Sequence, residues 1–183
     1  MVAAERIVPS MVGRILTSEG YTVFSNLGWR TISPNGIHGV FLQRSQWSDL
    51  EKYYLTMCFY PAEYLRLQEL PRKRPRPENY PIQVRFEALL RADPMRKYFE
   101  DALSLVIKME VSEREQRISS LMINHALPML RELNSLQDVI KLARENRIPL
   151  GSVRMPVLAE IDDSLRPRLA DYAFIEGELL QRD

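Results

Sequence analysis

YYLTMCFYP, residues Tyr53–Pro61, runs through a short stretch containing LRLQ into PRKRPRP, residues Pro71–Pro77. The first run is aromatic and β-branched and long enough for a strand. The second sets Arg72, Lys73, Arg74 and Arg76 among three prolines. Proline has no ladder donor and clashes inside a helix, so this run is neither a central strand nor a helix. A strand therefore leads into a stiff, cationic connector over 71–81. Its four basic side chains are candidate contacts for an acidic protein surface or for phosphate, against the plainer reading of a solvated loop. No stacking aromatics are interleaved with them, which disfavours nucleic acid.

On the N-terminal side, Ile7, Val8, Met11, Val12, Ile15 and Leu16 recur at helical spacing and form one apolar stripe. Gly20 suits the left-handed position that ends such a helix. Short β-like runs follow: Tyr21–Ser25, a turn at Asn26-Leu27-Gly28, Trp29–Ser33, a hairpin turn at Pro34-Asn35-Gly36, then Ile37–Gln43. The connections are too short for crossover helices, so the strands form an antiparallel meander. Beyond the connector, Ile82–Leu89 alternates as a strand does. Leu103–Val111 also alternates, and we read a short helical turn followed by a strand there; a helix from Met95 to Glu110 is the rival. Ser112-Glu113-Arg114-Glu115 has the form of a capping box. The helix behind it contains Pro128, which should kink or divide it. Ser135-Leu136-Gln137-Asp138 opens another helix. The expected organisation is one α+β domain over 1–150 and a C-terminal extension over 151–183 with an amphipathic helix after Pro167. The sheet should have five or six antiparallel strands, with helices packed on one face.

At 183 residues the chain is long enough for a sizeable core. A net charge of +1 supplies no global field toward nucleic acid or anionic membrane. The single cysteine, Cys58, excludes an intramolecular disulfide and lies in the most apolar run, where it reads as a buried small hydrophobe. No secretory leader or membrane-spanning run is recognisable, so a soluble, cytoplasmic protein is expected.

No stretch spells out a reaction. The seven glycines form no phosphate-binding loop, and neither His38 nor His125 has a partner at metal-ligand spacing. No G-x-S-x-G surrounds a serine. Asp162-Asp163 reads as a solvated turn rather than a cation site. Neither catalytic residues nor a cofactor is expected. His38 reads as an exposed strand residue and His125 as a packed or half-exposed helix residue. Both tryptophans default to core packing, but Trp47, in a polar run, is the better candidate for a surface anchor.

The order of landmarks resembles a bacterial family known as domain of unknown function 4304. The carrying pieces are SEGYTVF, GWRTI, VFLQRSQW, YYLTMCFY, ALSLVIKMEVSEREQRISSLMINHALPML and LNSLQDVIKLA, over roughly residues 5–147. Gln43, Ser45 and the pair Leu127-Pro128 are the most distinctive. The resemblance implies an α+β layered fold and brings no catalytic residues with it. In size and in lack of catalytic signature such proteins are similar to immunity proteins that neutralise bacterial toxins.

The leading expectation is a non-enzymatic protein-binding domain, immunity- or antitoxin-like, that occludes a toxin or other partner. Arg72, Lys73, Arg74, Arg76 and Trp47 would make the contact. A second expectation is a ligand-binding or enzymatic domain using the open face of the sheet, with His38, Gln43 and Arg44 as its polar groups. A third is a self-associating domain whose C-terminal helix docks on a second copy as a homodimer.

Overall fold

The computed structural model describes residues 4–45, 51–62, 76–90 and 93–149. Trp47, Arg72, Lys73, Arg74 and the C-terminal extension, with its expected helix and Asp162-Asp163, lie outside the described residues.

The first helix, α1 (Ala4–Ser18), buries Val8, Met11, Val12 and Leu16, the stripe expected from the spacing. Pro9 lies inside it and has no N–H to give the Glu5 carbonyl one turn back. The Tyr53 hydroxyl supplies the missing donor at 3.2 Å, which ties α1 to the sheet. Gly20, at φ 84°, closes the helix. The Tyr21 N–H reaches the Leu16 carbonyl and the Gly20 N–H reaches the Thr17 carbonyl, at 2.9 and 3.1 Å.

Five strands follow as an antiparallel meander in the order β1-β2-β3-β4-β5: β1 (Thr22–Ser25), β2 (Gly28–Ser33), β3 (Gly36–Arg44), β4 (Tyr53–Pro61) and β5 (Ile82–Arg85). Asn26-Leu27 and Pro34-Asn35 make the first two turns, as their composition predicts. The long β3–β4 ladder runs from Gly36↔Pro61 to Arg44↔Tyr53 and is the spine of the sheet. Its register puts Val40, Leu42, Leu55 and Met57 on one face, joined there by Trp29, Ile82 and Val84. These pack with the helices into the main core. Helix α1 packs tightly at Gly13, where a Cβ would stand 3.0 Å from the Trp29 ring.

The opposite face has a small core of its own: Ile37, Phe41, Cys58, Tyr60 and Tyr80. The Tyr80 ring lies over Gly39, where a Cβ would stand 2.9 Å from it. Tyr80 follows a single 3-10 turn, Pro77–Asn79, held at its start by the Arg76 N–H donating to the Asn79 side chain at 2.8 Å.

The helical layer continues with α2 (Phe86–Leu89), α3 (Arg96–Leu103), α4 (Val111–Leu121), a π-helical segment (Met122–Ala126), α5 (Leu127–Glu132) and α6 (Leu136–Arg144). The Ser135 side chain caps α6 by accepting the Asp138 N–H at 3.1 Å.

Three local expectations are corrected. The strand expected over Ile82–Leu89 stops at Arg85, because Phe86, Leu89 and Leu90 fall at helical spacing and turn the chain into α2. The strand preferred over Leu103–Val111 does not form. Helix α3 ends at Leu103, and Ser104 alone pairs with Lys52 as an isolated antiparallel bridge. Ser112 does not cap α4, which begins at Val111 after Glu110 without a side-chain cap.

The segment after α3 is held by one side chain instead of a ladder. Arg114, on the first turns of α4, is buried with 3% of its surface exposed. Its guanidinium donates to the carbonyls of Ala102 at 2.6 Å, Ser104 at 2.7 Å and Ile107 at 2.6 Å. A cation at the C-terminal end of α3 also complements that helix's dipole. Three residues on, Arg117 donates to the Tyr98 carbonyl at 3.1 Å and stacks on the Tyr98 ring. Replacing Arg114 would leave buried carbonyls without donors. Arg114→Met is expected to lower stability by roughly 3–5 kcal/mol, whereas loss of the exposed Arg44–Glu5 pair should cost about 0.5 kcal/mol or less. Denaturant unfolding of the two variants checks this; equal effects would mean that Arg114 is not the joint.

Candidate functional site

The sheet register decides which candidate residues meet. His38 is buried, not exposed: its partner in the ladder is Phe59, and both lie on the helix-covered face. The ring stacks on Phe59 with centroids 4.7 Å apart. Its Nε2 stands 2.5 Å from the Leu133 carbonyl, at the end of α5, which fits a neutral ring donating a hydrogen bond. The Ile37–Leu42 run is apolar at nearly every position, so alternation could not show which face His38 takes.

Gln43 points to the other face and accepts a hydrogen bond from the Thr56 hydroxyl at 3.0 Å. Arg44 returns to the side of His38, but six residues along the strand, about 20 Å away at the rise of a strand. It is exposed and pairs with Glu5 at 2.8 Å and Glu51 at 3.7 Å. His38, Gln43 and Arg44 therefore share no surface. Arg76, the described end of the basic run, is 81% exposed at its side chain, with Glu78 3.9 Å away. It leads directly into Tyr80 on the face opposite the helices.

That face gathers cations that the sequence reading did not single out. At one side, Arg30 lies 5.4 Å from the Phe24 ring centre. At the other, Tyr54 is flanked by Lys52 at 4.7 Å and Arg85 at 5.2 Å. Lys52 is balanced by Glu87, 3.6 Å away and largely buried. Arg30 and Arg85 have no carboxylate partner among the described residues. Ile32, on the same face of β2, is 66% exposed. The arrangement is an apolar centre, closed by Tyr80, with arginine on aromatic at its margins. Cation–π contact holds each guanidinium near its ring while leaving donors for a partner. Alternation along a single strand could not reveal this set, since its members come from β1, β2, β4 and β5.

Other candidates are placed as their surroundings dictate. Cys58 is fully buried, and burial pushes its thiol well above the ordinary range, so it is a poor nucleophile. Trp29 is a core residue with 4% exposure. His125 is half-buried, its ring edge-on to Phe99 at 5.1 Å. Among the described residues no three His, Cys, Asp or Glu side chains gather as metal ligands would. No helix among them is long and apolar enough to cross a membrane.

Burial holds the His38 ring below its ordinary pKa of 6.5, outweighing the opposing pull of the Leu133 carbonyl. The unfolded chain then takes up a proton near that pH that the folded chain refuses. The stability this contributes is complete above 6.5 and is lost as pH falls below it toward the folded pKa. The stability gap between the wild type and His38→Gln should narrow as pH is lowered from about 7.5 to about 5. A constant gap would mean that His38 titrates as freely folded as unfolded.

Neither a curated protein nor a solved structure matches the chain. A family model does match, over residues 12–132, which run from within α1 through the sheet to the end of α5. The chain belongs to the family described as domain of unknown function 4304.

Proposed function

We propose that this protein is a non-enzymatic binding domain that docks an acidic protein surface on the sheet face turned away from the helices. The observation that carries this is the pair of arginines set on aromatic rings, Arg30 on Phe24 and Arg85 beside Tyr54, neither with a carboxylate partner among the described residues, and exposed Ile32 on the same face. Arginine and aromatic side chains supply most of the binding energy at protein interfaces. Stacking restrains the guanidinium before the partner arrives, which lowers the ordering cost of binding. The positive margin would also raise the encounter rate with an acidic partner. Arg76 opens onto the same face, and Arg72, Lys73 and Arg74 precede it in the chain, so the basic connector would add to the steering. Function by occlusion follows: the partner's own site is covered without chemistry, as an immunity protein covers a toxin.

The test is capture of partners from the native cells with the wild-type chain and with an Arg30→Ser, Ile32→Ser, Arg85→Ser variant that folds normally. One stoichiometric acidic protein should be retained by the wild type. The variant should bind it at least ~10-fold more weakly, and added salt should slow association to the wild type. A partner held equally by both chains, or none by either, contradicts the reading.

A further inference from the structure

We propose that the C-terminal extension docks on the arginine-bearing sheet face of its own chain, with Glu176 on Arg30 and the extension's leucines over Ile32. An extension held there competes with an acidic partner for the same surface. The proposal rests on the reading that this face takes acidic protein, and it adds a built-in competitor.

Charge is divided unevenly along the chain. Over 151–183 seven acidic residues stand against four basic ones, a balance of −3, so with a whole-chain charge of +1 residues 1–150 carry +4. Opposite charge on two parts of one chain favours their association.

The pattern within the extension is more specific. At helical spacing Leu165, Leu169, Tyr172, Leu179 and Leu180 form one apolar stripe, and Glu176 falls in the middle of it. Asp171 and Glu178 fall on the opposite side, where solvated charge belongs. A carboxylate inside an apolar stripe is costly to cover unless the covering surface holds a cation. Such a stripe calls for an apolar surface with an arginine set in it. On β2, Arg30 and Ile32 are two residues apart and so share a face. Ile32 is 66% exposed, and Arg30 rests on the Phe24 ring without a carboxylate partner among the described residues.

Length does not limit the choice of site. Half the way round a body of about 150 residues is roughly 60 Å. From residue 149, the last one described, to Glu176 the chain can extend about 90 Å. Charge and apolar match therefore select the face.

The test uses the whole chain without a partner. Its single cysteine, Cys58, is fully buried, so Gln181→Cys supplies one accessible thiol for a nitroxide label, off the apolar stripe. The oxidised label should strongly weaken the amide signals of Arg30 and Ile32 and leave those of Ile118 and Leu121 in α4 at full strength. Glu176→Lys alone, or Arg30→Glu alone, should restore the Ile32 signal, and the two together should weaken it again. Loss confined to the helical layer, no selective loss, or a double variant that stays restored overturns the proposal. So does signal loss in an isotope-labelled chain mixed with a spin-labelled, isotope-free one, since the extension then sits on a second copy. Absent docking beside successful capture of an acidic partner fails this proposal alone. Docking with no acidic partner captured fails the reading of the face as a site for other proteins.

Discussion

One buried guanidinium joins the two layers of this protein. Arg114 projects from α4 to the C-terminal end of α3 and donates to the carbonyls of Ala102, in its last turn, and of Ser104 and Ile107, beyond it. That turn contains Ser104, whose backbone bridges to Lys52 at the approach to β4, while the Leu105 N–H reaches the Glu51 carbonyl at 2.8 Å. The same few residues thus end a helix, touch the sheet and receive the next helix. A hydrophobic replacement could fill the space but could not satisfy the carbonyls, and unsatisfied buried acceptors are costly. Burial lowers the Arg114 pKa, but an arginine remains charged at any physiological pH, so the joint does not switch.

Backbone satisfaction also explains how the helices tolerate proline. At Pro9 the lost donor is replaced by a tyrosine from the sheet, and the helix becomes fastened there. At Pro128 the chain widens into a π segment instead, and a cleft lies alongside.

Much of the fold was legible because its signals are local. The stripe of α1, the closing Gly20, the turns at Asn26-Leu27 and Pro34-Asn35, and the run from Tyr53 depend on near neighbours in the chain. The errors arose where distant residues decide. Leu103–Val111 alternates like a strand, yet Arg114 takes the carbonyls a ladder would need. Arg114 itself looked like one more charge at a helix start, since nothing in SEREQ distinguishes a buried arginine from a solvated one. The alternation of apolar residues in β3 is blurred because both faces of the sheet are covered, and so His38 was assigned to solvent. For the candidate site, composition pointed to a cationic surface at Arg76. The exposed arginines on aromatic rings emerged only from the pairing of separate strands.

Joined at the Arg114 cluster, sheet and helical layer should unfold as one cooperative unit. Native-state hydrogen exchange on the wild-type protein tests it most directly. The amides of Phe99 and Leu103 in α3, and of Ile118 and Leu121 in α4, are expected to exchange only through global unfolding. Their opening free energies and denaturant dependence should match those of Val40 and Met57 in the central ladder. Exchange of the α3 and α4 amides through a lower-energy opening, with the ladder still protected, would contradict it.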